Sequence, residues 1–200
     1  MTQLKIFKTN PEVVLPTFGT QQAACFDIAF QAYGKYEYAG YSGFNAPFTR
    51  TLKDGKAILM PGDRIMVPTG LIFDIPQGYS LRIHPRSGLS YKQGLVLANL
   101  EAVIDSDYFQ ETFVLLTNHS ENPITISNGD RIAQAELVQS LKYDLIETVV
   151  APIQKTDRIG GLGSTGTITV DGIGPVTATI HGSEEPVKRG RGRPKKVDAA

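Results

Sequence analysis

The chain has 200 residues, 41% of them hydrophobic and 20% charged, with a formal net charge of zero. That size fits one domain, or one domain with an appendage, and the apolar content suffices for a core. No apolar run reaches a membrane span, "MTQLKIFKTN" is too short and polar for a secretory signal, and the lone Cys25 excludes an internal disulfide, all of which fit a reducing, cytoplasmic compartment.

The zero net charge conceals an asymmetry. Residues 188–200, "KRGRGRPKKVDAA", hold six Lys/Arg and one Asp, which leaves 14 basic and 19 acidic residues in 1–187. By bulk charge the acidic body is not a nucleic-acid binder, whereas the basic end fits one.

Short apolar runs, rich in β-branched residues, recur between Gly, Pro, Asn and Asp. "LKIFKT" comes first, then "AACFDIAF", in which Cys25 reads as a small buried apolar residue. Residues 31–57 are rich in Tyr and Gly without a clear period and read as a long loop or irregular hairpin. "RIMVPTGLIFDIP" and "YSLRIHP" follow. "RSGLSYKQG" (86–94) predicts the only helix, about two turns long, with Ser87 as N-cap and Gly94 ending it. "LVLANLEAVID", "TFVLLTN", "PITISNGDRIAQAELVQ" and "DLIETVV" complete the predicted strands. Strands at this spacing predict an all-β sandwich, jelly roll or barrel. "PGDRIMVPTG" (61–70) and "NGDRIAQAEL" (128–137) echo each other, as two similar turns feeding two similar strands would. Residues 167–187 can form a hairpin, and 188 onward reads as disordered.

Several chemistries lack support. There is no G-x-x-x-x-G-K-[ST] loop and no G-x-S-x-G elbow, and His84, His119 and His181 do not fall at metal-ligand spacing. What remains is a set of polar clusters at strand ends and turns. "PRSGLS" (85–90) places an arginine, a hydroxyl and a glycine at a helix start, a combination that favours phosphate. Asn99 stands at an expected hairpin tip, where an amide and free backbone groups can read a base edge. "DRIGGLGSTG" (157–166) is an arginine before a Gly/Ser-rich stretch, suited to wrapping phosphates or to serving as a linker. Asp105 and Asp107 would share one face of a strand, where their like charges repel.

These clusters, in order, resemble the five motifs of the trimeric dUTPase family: "AACFDI", "PRSGLS", "AVIDSDY", "GDRIAQ" and "DRIGGLGSTG". The resemblance runs from Ala23 to Gly166. It implies a distorted jelly-roll β-barrel with one short helix, assembled as a homotrimer, with active sites at subunit interfaces closed by a glycine-rich arm. It implies dUTP as substrate and Mg2+ as cofactor, with water attacking the α-phosphorus to give dUMP and pyrophosphate.

Residue by residue, the resemblance makes Asp105 the general base and Tyr108 the ring beneath the deoxyribose, which leaves no room for a 2′-hydroxyl. Asn99 with the backbone around Val103, Ile104 and Asp105 reads uracil, and Phe113 lines the pocket. Arg86, Ser87, Gly88 and Gln134 hold phosphates, and Asp27 holds magnesium through waters. Arg158 with Leu162, Gly163 and Ser164 of the arm grips the γ-phosphate and covers the base. Asp107 supports local hydrogen bonding or a trimer channel.

The chain departs from the family pattern at Ala102 and Gln110, where glycine is usual, and at Leu162, where an aromatic normally stacks on the base. The expected organisation is a dUTPase-like domain over 1–166, an extension over 167–187 and a basic end over 188–200. "RGRP" (191–194) resembles an AT-hook, so 188–196 reads as a weak DNA contact or a nonspecific phosphate-binding end. Two rivals share the fold: a dCTP deaminase-type enzyme, which would release ammonia, and a weakly catalytic module that binds DNA or protein.

Overall fold

The computed structural model describes residues 2–157. The expectations for Arg158, Leu162, Gly163 and Ser164, for the 167–187 hairpin and for the basic end lie outside the described residues. The chain divides into two units, 1–145 and 146–200.

The first unit is almost entirely β. In chain order its elements are β1 (Lys5–Lys8), β2 (Phe26–Ala29), β3 (Glu37–Tyr41), β4 (Pro47–Thr51), β5 (Lys56–Leu59), β6 (Arg64–Pro68), β7 (Leu71–Asp74) and β8 (Tyr79–His84). After these come α1 (Ser87–Gln93), β9 (Leu95–Leu97), β10 (Ala102–Ile104), β11 (Phe113–Asn118), β12 (Ile124–Ser127) and β13 (Arg131–Gln139). The described strands form four sheets, ordered β1-β7, β10-β8-β13-β2, β4-β3-β6-β11-β9 and β12-β5. Their pairings are antiparallel. Side chains alternate across each pleat, so Ile65 and Val67 of β6 and Ala57 and Leu59 of β5 turn inward while their neighbours face out. The inward residues of all four sheets meet in one core, with Ile28, Leu59, Ile83 and Leu116 fully buried. This is the all-β class that the strand spacing predicts, with the one short helix expected at 86–94, and it fits the jelly-roll-like fold that the resemblance implies.

Two local expectations are corrected and a third is narrowed. Of the two forms expected for 31–57 the structure takes the hairpin, a regular one of β3 on β4 that joins the five-stranded sheet through β6. Its register depends on Gly40: a Cβ there would lie 2.4 Å from the Arg64 carbonyl oxygen, so only glycine permits the approach. The N-cap of α1 is Arg86, with an extended backbone and no side-chain cap bond; Ser87 is already the first helical residue. Gly94 ends the helix at φ 69°, as expected. Finally, "DLIETVV" (144–150) forms no strand, and Leu145 and Val149 are exposed.

The Gly-Asp-Arg-Ile echo is a real structural repeat. Gly62 and Gly129 take φ of 77° and 91°. In each turn the aspartate closes back three residues: Asp63 Oδ2 accepts the Met60 N–H at 3.0 Å, and Asp130 Oδ2 accepts the Ser127 N–H at 2.7 Å. The two differ in burial. Asp63 is buried and also takes the Arg50 guanidinium at 2.7 Å, while Asp130 is exposed. Removing one partner of a buried pair costs several kcal/mol, and loss of one exposed turn bond about 1 kcal/mol. Asp63→Ala is therefore expected to lower stability to urea by roughly 2–4 kcal/mol and Asp130→Ala by about 1 kcal/mol. Equal losses would contradict this division.

Candidate active site

One group of predicted residues gathers at the start of β10. Asn99 lies in the turn between β9 and β10, where the Leu100 N–H donates to Leu97 O at 3.1 Å and the Glu101 N–H to Asn99 O at 2.7 Å. Leu100 is held at φ 64°. β9 pairs with β11 and β10 with β8, so this turn crosses between sheets and is not the tip of a paired hairpin. The crossing opens a cavity of about 540 Å³ bounded by Asn99, Val103, Ile104, Asp105, Tyr108 and Phe113. Polar groups from one turn thus face apolar walls, the usual make-up of a small-molecule site.

The paired carboxylates do not share a strand. β10 ends at Ile104, and Asp105 to Tyr108 form a turn closed by the Tyr108 N–H on Asp105 O at 3.2 Å. The turn relieves the repulsion that a common strand face would impose. Both aspartates are exposed, and both border the cavity and a second, more polar basin with Arg82 and Lys142. The Tyr108 hydroxyl donates to Glu111 O at 2.9 Å, which fixes its ring at the cavity wall. Glu111 is anchored in turn, with Oε1 accepting the Gly70 N–H at 3.0 Å and Oε2 paired with Lys35 at 3.0 Å. Sequence reasoning missed Glu111 because its partners lie far away in the chain.

A second group gathers around β13. Gln134 pairs across to Asp27 on β2 and to His84 on β8, and its Nε2 donates to Pro85 O at 3.0 Å. That bond fixes the loop that delivers Arg86 and Ser87. Arg86 Nε donates to Asp27 Oδ1 at 2.9 Å, Arg131 Nη1 to Asp27 Oδ2 at 2.9 Å, and Arg86 Nη1 to Arg131 O at 2.9 Å. One carboxylate therefore holds two guanidinium groups close to the start of α1, and Asp130 borders the same cavity as both arginines. Arg131 is the residue that sequence reasoning passed over here. Its signal was present in "GDRIAQ", but only the β2–β13 pairing shows that it reaches Asp27.

The two groups stand apart within one chain. β10 runs antiparallel to β8 with Ile104 opposite Leu81, so Asp105 continues towards Ser80. Arg86 lies at the other end of β8 and folds away towards β13 and β2. Six residues at about 3.3 Å each separate the Ser80 level from Arg86, roughly 20 Å. The cavity beside Asp105 and the one beside Arg86 share no residue.

Among the described residues no cluster of three His, Cys, Asp or Glu side chains forms a metal cage. Asp27, partly exposed, is already engaged by two arginines, and the exposed Asp130 borders the same cavity. That donor set suits a cation that arrives on a polyphosphate and keeps its water shell. Cys25 is half-buried and lies outside the core, where full burial was expected; burial, with a contribution from the Glu136 charge, pushes its thiol above the usual range.

Residues 53–166 match the family model described as dUTPase. The chain belongs to the dUTPase family. It is 38% identical over 165 residues to the deoxyuridine 5'-triphosphate nucleotidohydrolase of Nautilia profundicola, covering 82% of this chain and 99% of that one. It is 44% identical over 133 residues to the enzyme of the same name from Brucella melitensis, covering 66% and 83%. The fold is similar to that of the Staphylococcus bacteriophage 80alpha dUTPase solved with dUpNHpp, with TM-score 0.65, 19% identity and coverage of 84% and 100%. It also resembles the Streptococcus mutans dUTPase, with TM-score 0.55, 23% identity and coverage of 72% and 99%.

The Arg131–Asp27 contact gives a prediction for this dUTPase. Losing a partly exposed charged hydrogen bond costs about 1 kcal/mol, near fivefold in affinity. Arg131→Ala is expected to raise the KM for dUTP by about that factor while inhibition by deoxyuridine, which lacks phosphates, stays unchanged. An equal loss for both would mean that Arg131 acts on the fold and not on the phosphate end.

Proposed function

We propose that this chain hydrolyses dUTP to dUMP and pyrophosphate in a site assembled from more than one copy. The division just described carries the reading: the cavity with Asp105 at one end of the β8–β10 ladder suits a base and sugar, and the Arg86–Arg131 pair at the other suits phosphates. A general base must lie within hydrogen-bond reach of the water it activates. The α-phosphorus must therefore sit beside Asp105 while Arg86 and Ser87 hold the same triphosphate, which one chain does not permit across roughly 20 Å. A homotrimer, in which one copy's cradle faces a neighbour's pocket, resolves the conflict with a single repeated interface.

In this reading Asn99 and the backbone of Val103 to Asp105 pair with the uracil edge. Tyr108, fixed through Glu111, packs against the deoxyribose and rejects a 2′-hydroxyl by its bulk. Asp105 accepts a proton as water oxygen bonds to the α-phosphorus. The bond from that phosphorus to the bridging oxygen breaks, and pyrophosphate departs. Arg86, Ser87 and Gln134 hold the departing phosphates, with Ser87 Oγ free of any bond to the described residues and so available to the bridging oxygen. Mg2+ would supply charge neutralisation on the triphosphate, held by Asp27 through water. Arg158 and the glycine-rich arm to Gly166 would close the site against bulk water.

Pyrophosphate release is to be measured with dUTP, dCTP, dTTP and UTP, with and without Mg2+. Turnover of dUTP alone, strengthened by Mg2+, is expected; ammonia release from dCTP would instead indicate a deaminase. Asp105→Asn is expected to lower kcat by a factor of about 10² to 10⁴ with the affinity for a non-hydrolysable dUTP analogue retained. Undiminished turnover would remove Asp105 as the base.

A further inference from the structure

Phe109 is 78% exposed although it borders the Asp105 cavity. It follows Tyr108, whose hydroxyl is tied to Glu111 O, so the backbone that presents it is fixed. Met66, Phe113 and Leu115 supply the other apolar walls. Phe109 contributes nothing to the core, and leaving a large ring in water forgoes its burial energy. A planar apolar ligand in the cavity would recover that energy, because an aromatic face stacks on any nucleobase.

The rest of the sequence narrows the choice of stacking residue. No Phe, Tyr or Trp occurs after Tyr143, so the arm from Arg158 to Gly166 brings no ring, only Leu162. Any aromatic face that the base meets must therefore come from residues 1–143. Of the three rings at the cavity, Tyr108 is held by its hydroxyl and Phe113 is half-buried in β11, which leaves Phe109 free to turn onto a ligand.

We propose that Phe109 is a specificity and affinity residue whose ring stacks on the pyrimidine of the bound nucleotide. The inference rests on the nucleotide site described above and assigns that site its aromatic contact. The chain contains no tryptophan, so Phe109→Trp creates a single-tryptophan reporter. Titration of the full chain with α,β-imido-dUTP is expected to quench its emission saturably. The same titration of Phe44→Trp, at the fully exposed hairpin tip, should leave emission unchanged.

Phe109→Ala is expected to weaken analogue binding by calorimetry roughly 5- to 100-fold, with the oligomer unchanged by light scattering. The proposal is overturned if Phe109→Trp emission ignores saturating analogue, if Phe109→Ala binds as wild type does, or if Phe109→Ala instead breaks the oligomer. Wild-type chain that fails to bind the analogue would overturn the nucleotide reading itself, a result distinct from all three.

Discussion

The function depends on the register of β10 against β8. Ile104 opposite Leu81 sends Asp105 one way along the sheet while Arg86 leaves β8 the other way. A one-residue slip would turn Ala102 and Ile104, which pack against the core, out of the half-buried face, so the core enforces this arrangement. In the proposed reaction, catalysis at the α-phosphorus becomes a property of the assembly. A neighbouring copy would bring Arg86 to the pocket, because no local adjustment within one chain spans roughly 20 Å.

The Arg86 end of the site is built by charge compensation. Asp27 pairs with both Arg86 and Arg131, so neither guanidinium is left unpaired. Arg86 is also held by the Arg131 carbonyl, and Gln134 fixes the loop at Pro85. In the proposed reading these donors are positioned before a triphosphate arrives, which keeps the ordering cost of binding low. The base end uses a different principle. There an apolar cavity and a crossover turn provide shape, and Tyr108 is fixed by a chain of bonds through Glu111 to Gly70.

Much of this was legible in the sequence because it is local. The Gly-Asp-Arg-Ile turns, the Gly94 helix end and the clusters around Arg86, Asn99 and Asp105 depend on neighbouring residues, and the chain spells them out. What escaped depends on distant contacts. The β3–β4 hairpin is defined by Gly40 meeting the Arg64 backbone, and Arg131 gains its role only when β13 pairs with β2. The Ser87 cap was misread because the residue with the extended backbone before the helix is Arg86, which lacks the short polar side chain that N-caps favour. The crossover at Asn99 looked like a hairpin because two apolar runs flank a short polar turn in either case.

Subunit mixing tests the shared site most directly. Asp105→Asn loses the base and Arg86→Ala loses the cradle, so each variant alone should be nearly inactive. Co-assembled in equal amounts, a copy with intact Asp105 meets a neighbour with intact Arg86 at about a quarter of the sites in a trimer. The account predicts recovery of dUTP hydrolysis to roughly that fraction of wild type. Failure to recover, with mixed assemblies verified by mass, would mean that a single chain supplies both ends, contrary to the separation on which this account stands.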